Sequence, residues 1–209
     1  MASKYLEFEQ LLLHGFKQLQ LPLSAQVCSQ LFDYIALLQK WNKAYNLTAI
    51  DTTKEIIIRH IFDSLSIASF VRGPFVLDVG SGAGLPGLVL ALVKPEINFV
   101  LLDSNHKKTL FLHHVALMLK IPNIIVATSR VEKFHFQTCF ATIVTRATMG
   151  ISAIIEHTKH LVCKDGRWLL MQGKFAKEEL TDLGKSFEVH KLIVPELAEE
   201  RHLVVINAN

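Results

Sequence analysis

The chain has 209 residues, half of them hydrophobic, with a formal net charge of +3; that is enough for one substantial core with an appendage, and too apolar for a disordered polymer. No apolar run approaches the roughly 20 residues that span a bilayer, and the N-terminus carries Glu7 and Glu9 without a cleavage-site pattern, so a soluble cytoplasmic protein with no membrane partner is expected. Cys28, Cys139 and Cys163 are an odd set with no C-x-x-C spacing, which reads as buried free thiols rather than a disulfide or a zinc site.

Residues 1–70 read as helical. Leu12, Phe16 and Leu19 share one face; Ser24 is an N-cap; Val27, Leu31, Ile35, Leu38 and Trp41 follow at helical spacing. The turn-prone stretch Asn42-Lys43-Ala44-Tyr45-Asn46-Leu47-Thr48 breaks the period, and Asp51 or Thr52 caps a third helix through Ile56, Ile57 and His60 that continues to Ser69. Such an amphipathic cap needs a partner surface. With no long linker after it, residues 1–70 are expected to pack on a second unit, residues 71–209.

That unit begins with the apolar run Phe75 to Val79, of the kind buried on both faces of a parallel sheet. Gly80, Gly82, Gly84 and Gly87 follow, where the chain must turn sharply and let a ligand approach the backbone. Pro86 suits the first turn of a helix over Leu88 to Val93, whose N–H groups would face the turn. Phe99 to Leu102 reads as the next strand, ending on Asp103, and a helix with Leu110, Leu112, Val115 and Leu119 stops before Pro122. Asn123 to Ala127 is the third strand, Phe140 to Thr145 the fourth, Ile151 to Val162 a helix, and Arg167 to Met171 the fifth strand. The βαβα alternation predicts an α/β fold. Phe187 to Val194 and His202 to Ile206 close the sheet as an antiparallel hairpin.

Gly82 to Gly87 also fits the dinucleotide fingerprint G-x-G-x-x-G, a weak signal alone. Asp78 separates the readings: a carboxylate just before the glycines repels a pyrophosphate and attracts a sulfonium and an amino group. Asp103, at the tip of the next strand, can accept from both hydroxyls of a ribose. Strand, Asp-x-Gly-x-Gly-x-Gly, helix, strand, Asp resembles the class I S-adenosylmethionine-dependent methyltransferases. The resemblance implies a Rossmann-like sheet with helices on both faces, here with an N-terminal helical extension.

The full chain resembles a narrower family. Tyr45-Asn46-Leu47-Thr48, Arg59-His60 with Asp63-Ser64-Leu65, Asp78 to Gly87, and Leu102-Asp103-Ser104 with Lys107-Lys108 and Phe111-Leu112 recur in this order in the bacterial small-subunit rRNA methyltransferase G family, also called glucose-inhibited division protein B. Ser129-Arg130-Val131-Glu132, Thr145-Arg146-Ala147 and Glu200 to Ile206 match as well. The resemblance implies methylation of a guanine at N7 in 16S rRNA with S-adenosylmethionine as cofactor. The family's cofactor contacts fall on Gly80, Leu85, Val131, Glu132 and Arg146. Asp78, Gly82, Gly84, Asp103 and Ser104 complete the expected set from the chemistry of the turn and the ribose. Thr145 stands where the family often has serine, and Gln172 where it frequently has lysine, removing a positive charge near the rim.

Guanine N7 carries a lone pair and no proton, so transfer needs positioning rather than a general base. Arg146, at a strand's C-terminal end, is the expected catalytic clamp. N7 lies on the edge facing the narrow groove of A-form RNA, so the base should be unpaired or extruded and the RNA held through its phosphates. Residues 71–150 hold eight Lys/Arg against four acids; Lys107, Lys108, Arg130 and Arg201 are the candidate phosphate contacts. Arg59, His60 and Asp63 either cap the cofactor pocket or tie the extension down. His113-His114 and His157-x-x-His160 lack a third ligand at sensible spacing, so no metal is expected. Trp41 and Trp168 read as core. The expected partner is 16S rRNA or the small subunit, with a monomeric enzyme favoured; the alternative is a methyltransferase for a protein or small molecule.

Overall fold

The computed structural model describes residues 2–146, 149–173 and 186–209. Seven strands form one sheet in the order β3-β2-β1-β4-β5-β7-β6: β1 (Phe75–Val79), β2 (Asn98–Asp103), β3 (Ile124–Thr128), β4 (Phe140–Thr145), β5 (Val162–Gln172), β6 (Phe187–Leu192) and β7 (Arg201–Asn207). The first five are parallel; β7 pairs antiparallel with β5 and β6, giving the expected hairpin edge. The order reverses between β1 and β4, where an open α/β sheet leaves a crevice at its strand tips.

Alternate strand residues feed two cores. Val76, Phe99, Leu101, Val144 and Leu169 point to one side, where they join α1 (Ala2–Gln18), α2 (Ala25–Tyr45), the helical stretch near residue 60, α5 (Gly87–Val93) and α6 (His106–Met118). Leu77, Val100, Ile143, Trp168 and Leu170 point to the other, against α7 (Ile151–Thr158). The helical extension therefore shares one core with the sheet: Leu12, Phe16, Leu31 and Leu38 are buried in the same cluster as Leu88 and Phe111. Trp168 is core; Trp41 is half-buried at the seam, its ring 5.6 Å from Phe111 and 5.3 Å from His114.

The caps form as read from the sequence. Ser24 Oγ accepts from the Val27 N–H at 3.1 Å, and Thr52 Oγ1 from the Glu55 N–H at 3.3 Å. The third helix is less regular than expected: α3 (Thr53–Ile56) runs into a π-helical stretch, Ile57–Phe62, then α4 (Asp63–Leu65) and a 3-10 turn, Ala68–Phe70. α7 ends at Thr158 instead of Val162, because Val162 is drawn into the sheet opposite Phe140 and lengthens β5 to eleven residues.

The cysteine expectation is overturned. Cys139 and Cys163 form a disulfide, with Cα atoms 4.8 Å apart. They flank the paired residues Phe140 and Val162, and that cross-strand adjacency could not be read from an odd cysteine count. Cys28 is free but only half-buried. No helix among the described residues is long and apolar enough to cross a membrane.

Candidate active site

The turn after β1 is held from three directions. From β2, the Leu102 carbonyl accepts from the N–H groups of Gly80 and Ser81 at 2.8 and 3.1 Å. The Asp103 carboxylate takes the Gly82 N–H on Oδ2 at 2.9 Å and the Asn105 N–H on Oδ1 at 2.8 Å. From α2, Tyr34 donates its buried hydroxyl to the Ala83 carbonyl at 2.9 Å. From β4, the Thr145 hydroxyl donates to the Val79 carbonyl at 2.8 Å, so threonine keeps the oxygen that serine would supply. Backbone that cannot drift is what a closely fitted ligand requires.

Asp78 departs from its expected role. Its side chain is fully buried, and Oδ2 accepts from the Gly87 N–H at 2.8 Å. It therefore caps α5 rather than facing a ligand, and it also takes up the helix N-terminal donor that the sequence left for one; the Leu88 N–H goes to the Gly84 carbonyl. Gly87 is obligatory here, since a Cβ would sit 2.6 Å from Asp78 Oδ2 and 2.5 Å from Leu101. Burial pushes the Asp78 carboxyl up to about 7 against the opposing Gly87 hydrogen bond.

A cleft of about 280 Å³ opens at the reversal point, lined by Gly80, Asp103, Ser104, Val131, Glu132 and Arg146 among others. It gathers most of the expected cofactor set. Leu85 and Gly82 lie in an adjoining hollow of about 120 Å³ that Arg146 also lines. Asp103 is 8% exposed, Ser104 and Glu132 are exposed, and Val131 is buried. Gly80 has φ +74°, and a Cβ there would meet nothing within 4 Å: the backbone opens onto the cleft.

S-adenosylmethionine fits this lining. Asp103 offers a carboxylate at a strand tip for a ribose diol, and Leu102, Val131, Met149 and Ile154 offer apolar surface for a purine. Lys108, expected at an RNA rim, lines the same cleft with Nζ 4.0 Å from Asp103 Oδ2. Lys107 and Arg130 are exposed as expected.

Beside the cleft lies a second cavity of about 370 Å³, lined by Arg59, His60, Asp63, Arg146, Gln172 and Arg201 among others. Arg146 lines both. Its Nη1 donates to the Arg59 carbonyl at 3.2 Å and to Asp63 Oδ2 at 3.3 Å. Arg201, expected at the RNA rim, turns inward, its Nε 3.3 Å from Asp63 Oδ1. Asp63 thus ties helix α4 to β4 and β7. His60 joins the Thr48 hydroxyl at 2.8 Å, and burial above all pushes its imidazole down to about 4, keeping it neutral. Sequence reasoning missed Tyr34; it grouped Asp63 with Arg59-His60 one helical turn away, as a cap or a tie, but not with Arg146 and Arg201. Ala147 of the Thr145-Arg146-Ala147 motif lies outside the described residues. Among the described residues no group of three or more His, Cys, Asp or Glu is placed to hold a metal ion.

The family model described as GidB, rRNA small subunit methyltransferase G, matches residues 27–204. Curated relatives named ribosomal RNA small subunit methyltransferase G include those of Legionella pneumophila (strain Corby), 45% identical with 85% of each chain covered, and Coxiella burnetii (strain Dugway 5J108-111), 44% identical over 93% of this chain and 96% of the other. Among solved structures, a SAM-dependent methyltransferase from Aquifex aeolicus superposes with a TM-score of 0.61 at 16% identity, over 78% of this chain and 97% of the other. The N-methyltransferase NodS from Bradyrhizobium japonicum WM9, in complex with S-adenosyl-L-homocysteine, gives 0.55 at 14% identity, over 83% and 97%. At such identities the structures establish the fold.

Proposed function

Because the chain belongs to the rRNA small subunit methyltransferase G family, we propose that it transfers the methyl group of S-adenosylmethionine to N7 of a guanine in 16S rRNA. The observation that carries this reading is the arrangement around Arg146: one guanidinium lines both a strand-tip cleft that fits the methyl donor and a second cavity rich in basic groups.

Bound S-adenosylmethionine supplies an electrophilic methyl group on a sulfonium. Asp103 accepts from the ribose hydroxyls, Gly80 and Leu85 offer backbone at the turn, and Ser104, Val131 and Glu132 border the nucleoside. Asp78 and Gly84 act at one remove, by keeping the turn in shape. The N7 lone pair needs no proton removed, so this chain's contribution is orientation and exclusion of water. Positive charge moves onto the purine during transfer; an arginine over the imidazole ring would oppose it, whereas one bonding O6 in the plane of the base would not. Arg146 takes the in-plane role, held there by Asp63 and the Arg59 carbonyl. Lys107 and Arg130, exposed at the rim, engage phosphates, and Lys108 and Arg201 serve the two cavities. Residues 1–70 form an extension that steadies the glycine turn and walls the second cavity, and residues 71–209 carry the transferase sheet.

The test is incubation with labelled S-adenosylmethionine and either small ribosomal subunits or 16S rRNA. Label should enter RNA and be recovered as 7-methylguanosine, and Arg146→Ala should lower turnover far more than thermal stability. Label entering only protein or small molecules would support the alternative substrate class instead.

A further inference from the structure

The cavity of about 370 Å³ beside the cofactor cleft holds an arrangement that the fold alone does not require. The Asp63 side chain is 4% exposed and sits between two guanidiniums, Arg146 Nη1 and Arg201 Nε, each at 3.3 Å. Each carboxylate oxygen faces one arginine, and one turn away the buried His60 lines the same cavity, so a carboxylate, two guanidiniums and a neutral imidazole converge on its wall. Burial holds the Asp63 carboxyl above the ordinary range in spite of both arginines.

Among the four bases, guanine alone presents two adjacent donors, N1–H and N2–H, next to one acceptor, O6. Adenine and cytosine put a ring acceptor beside a single amino donor, and uracil has one N–H between two carbonyls. A two-oxygen carboxylate flanked by arginines is the complement of the guanine edge. O6 borders both the Watson–Crick edge and N7, so a donor to O6 must stand where the base-reading cavity meets the methyl-donor cleft. Arg146 is the arginine that lines both. A bidentate arginine on O6 and N7, as used to read guanine in duplex DNA, would block the nucleophile. Here Asp63 and the Arg59 carbonyl draw on the same Nη1 of Arg146 and restrain it.

Resting on the rRNA-guanine reading above, we propose that this cavity is the subsite that selects guanine: Asp63 accepts from N1–H and N2–H of the extruded base, Arg146 donates to O6, and N7 is left pointing at the cleft.

The experiment uses the full chain and small subunits reconstituted with 16S rRNA carrying inosine, which lacks only the 2-amino group, at the nucleotide that mass spectrometry shows to be methylated. The wild type should lose about 10- to 100-fold in kcat/KM on inosine, the effect of one unmade hydrogen bond to a charged group. Asp63→Asn should lower the rate on guanosine and reduce the guanosine-over-inosine preference to near unity, with S-adenosylmethionine affinity retained by calorimetry. If Asp63 is only an anchor, the variant slows on both RNAs by the same factor and keeps its preference, which overturns the proposal. Equal wild-type rates on the two RNAs overturn it too, whether or not the variant folds. Transfer to neither RNA removes the rRNA reading itself and this subsite with it, an outcome distinct from loss of selectivity.

Discussion

Replacing Asp78 with asparagine tests whether that carboxylate is a buried cap or a ligand contact. The side chain is 0% exposed and its carboxyl is raised to about 7 from 3.8, chiefly by burial. An acid whose folded pKa lies above its unfolded one stabilises the fold most below the unfolded value, and that contribution is lost as pH rises through the folded value. Between pH 5 and 8 the folded chain holds a proton that the unfolded chain has released over roughly two pH units. At 1.36 kcal/mol per unit, the wild type loses about 2–3 kcal/mol across that range from this group alone. Asparagine keeps an acceptor for the Gly87 N–H but buries an amide where Oδ1 has no partner, a cost of about 1–3 kcal/mol at every pH. Urea denaturation of both proteins from pH 5 to 8 should therefore show Asp78→Asn less stable at pH 5 and the gap closing or reversing by pH 8. Parallel stability profiles would refute the reasoning, because they would mean Asp78 titrates alike in the folded and unfolded chains.

Asp103→Ala should weaken S-adenosylmethionine binding by about 1–3 kcal/mol in calorimetry and also lower Tm, since the Gly82 and Asn105 N–H groups lose their acceptor; unchanged affinity would show the ribose held elsewhere. Tyr34→Phe removes the α2 hydrogen bond to the Ala83 carbonyl and should cost about 1–3 kcal/mol, read as a fall in Tm of roughly 2–4 °C per kcal/mol; an unshifted Tm would mean the extension does not brace the turn. Reducing the Cys139–Cys163 bond, which closes a loop of sequence separation 24, should lower stability by about 3 kcal/mol on the chain-entropy account; a Cys139→Ser variant that melts with the oxidised wild type would contradict it.

What the sequence shows and what it hides divide along range. β1 to β4 are short apolar runs bounded by turn residues, and Ser24 and Thr52 are local caps, so each was legible within a few positions. Gly80, Asp103, Ser104, Val131, Glu132 and Arg146 line one cleft; Asp103 could be picked out from its place at a strand tip, whereas Gly80, Val131, Glu132 and Arg146 were named through the family resemblance. The role of Asp78 was not legible: a carboxylate before a glycine turn looks alike whether it faces a ligand or turns back nine residues to an N–H. Tyr34, bonded to Ala83 across 49 residues, and the Cys139–Cys163 pair, 24 apart, depend on which elements become neighbours. Lys108 and Arg201 were read as rim charges that engage phosphates; buried carboxylates at Asp103 and Asp63 stand beside them instead. The π-helical stretch Ile57–Phe62, which carries Arg59 and His60 to the second cavity, leaves no mark in apolar spacing that separates it from an α-helix.

Arg146 lines both cavities, and on the proposed reading it is where the methyl donor and the guanine meet. The most direct measurement is a crystal structure of the protein with S-adenosyl-L-homocysteine. The ribose should lie against Asp103, with backbone contact at Gly80 and the sulfur turned toward Arg146 and the cavity that Asp63 lines. A ligand bound away from the tips of β1 and β2, or one whose sulfur faces away from that cavity, would contradict it.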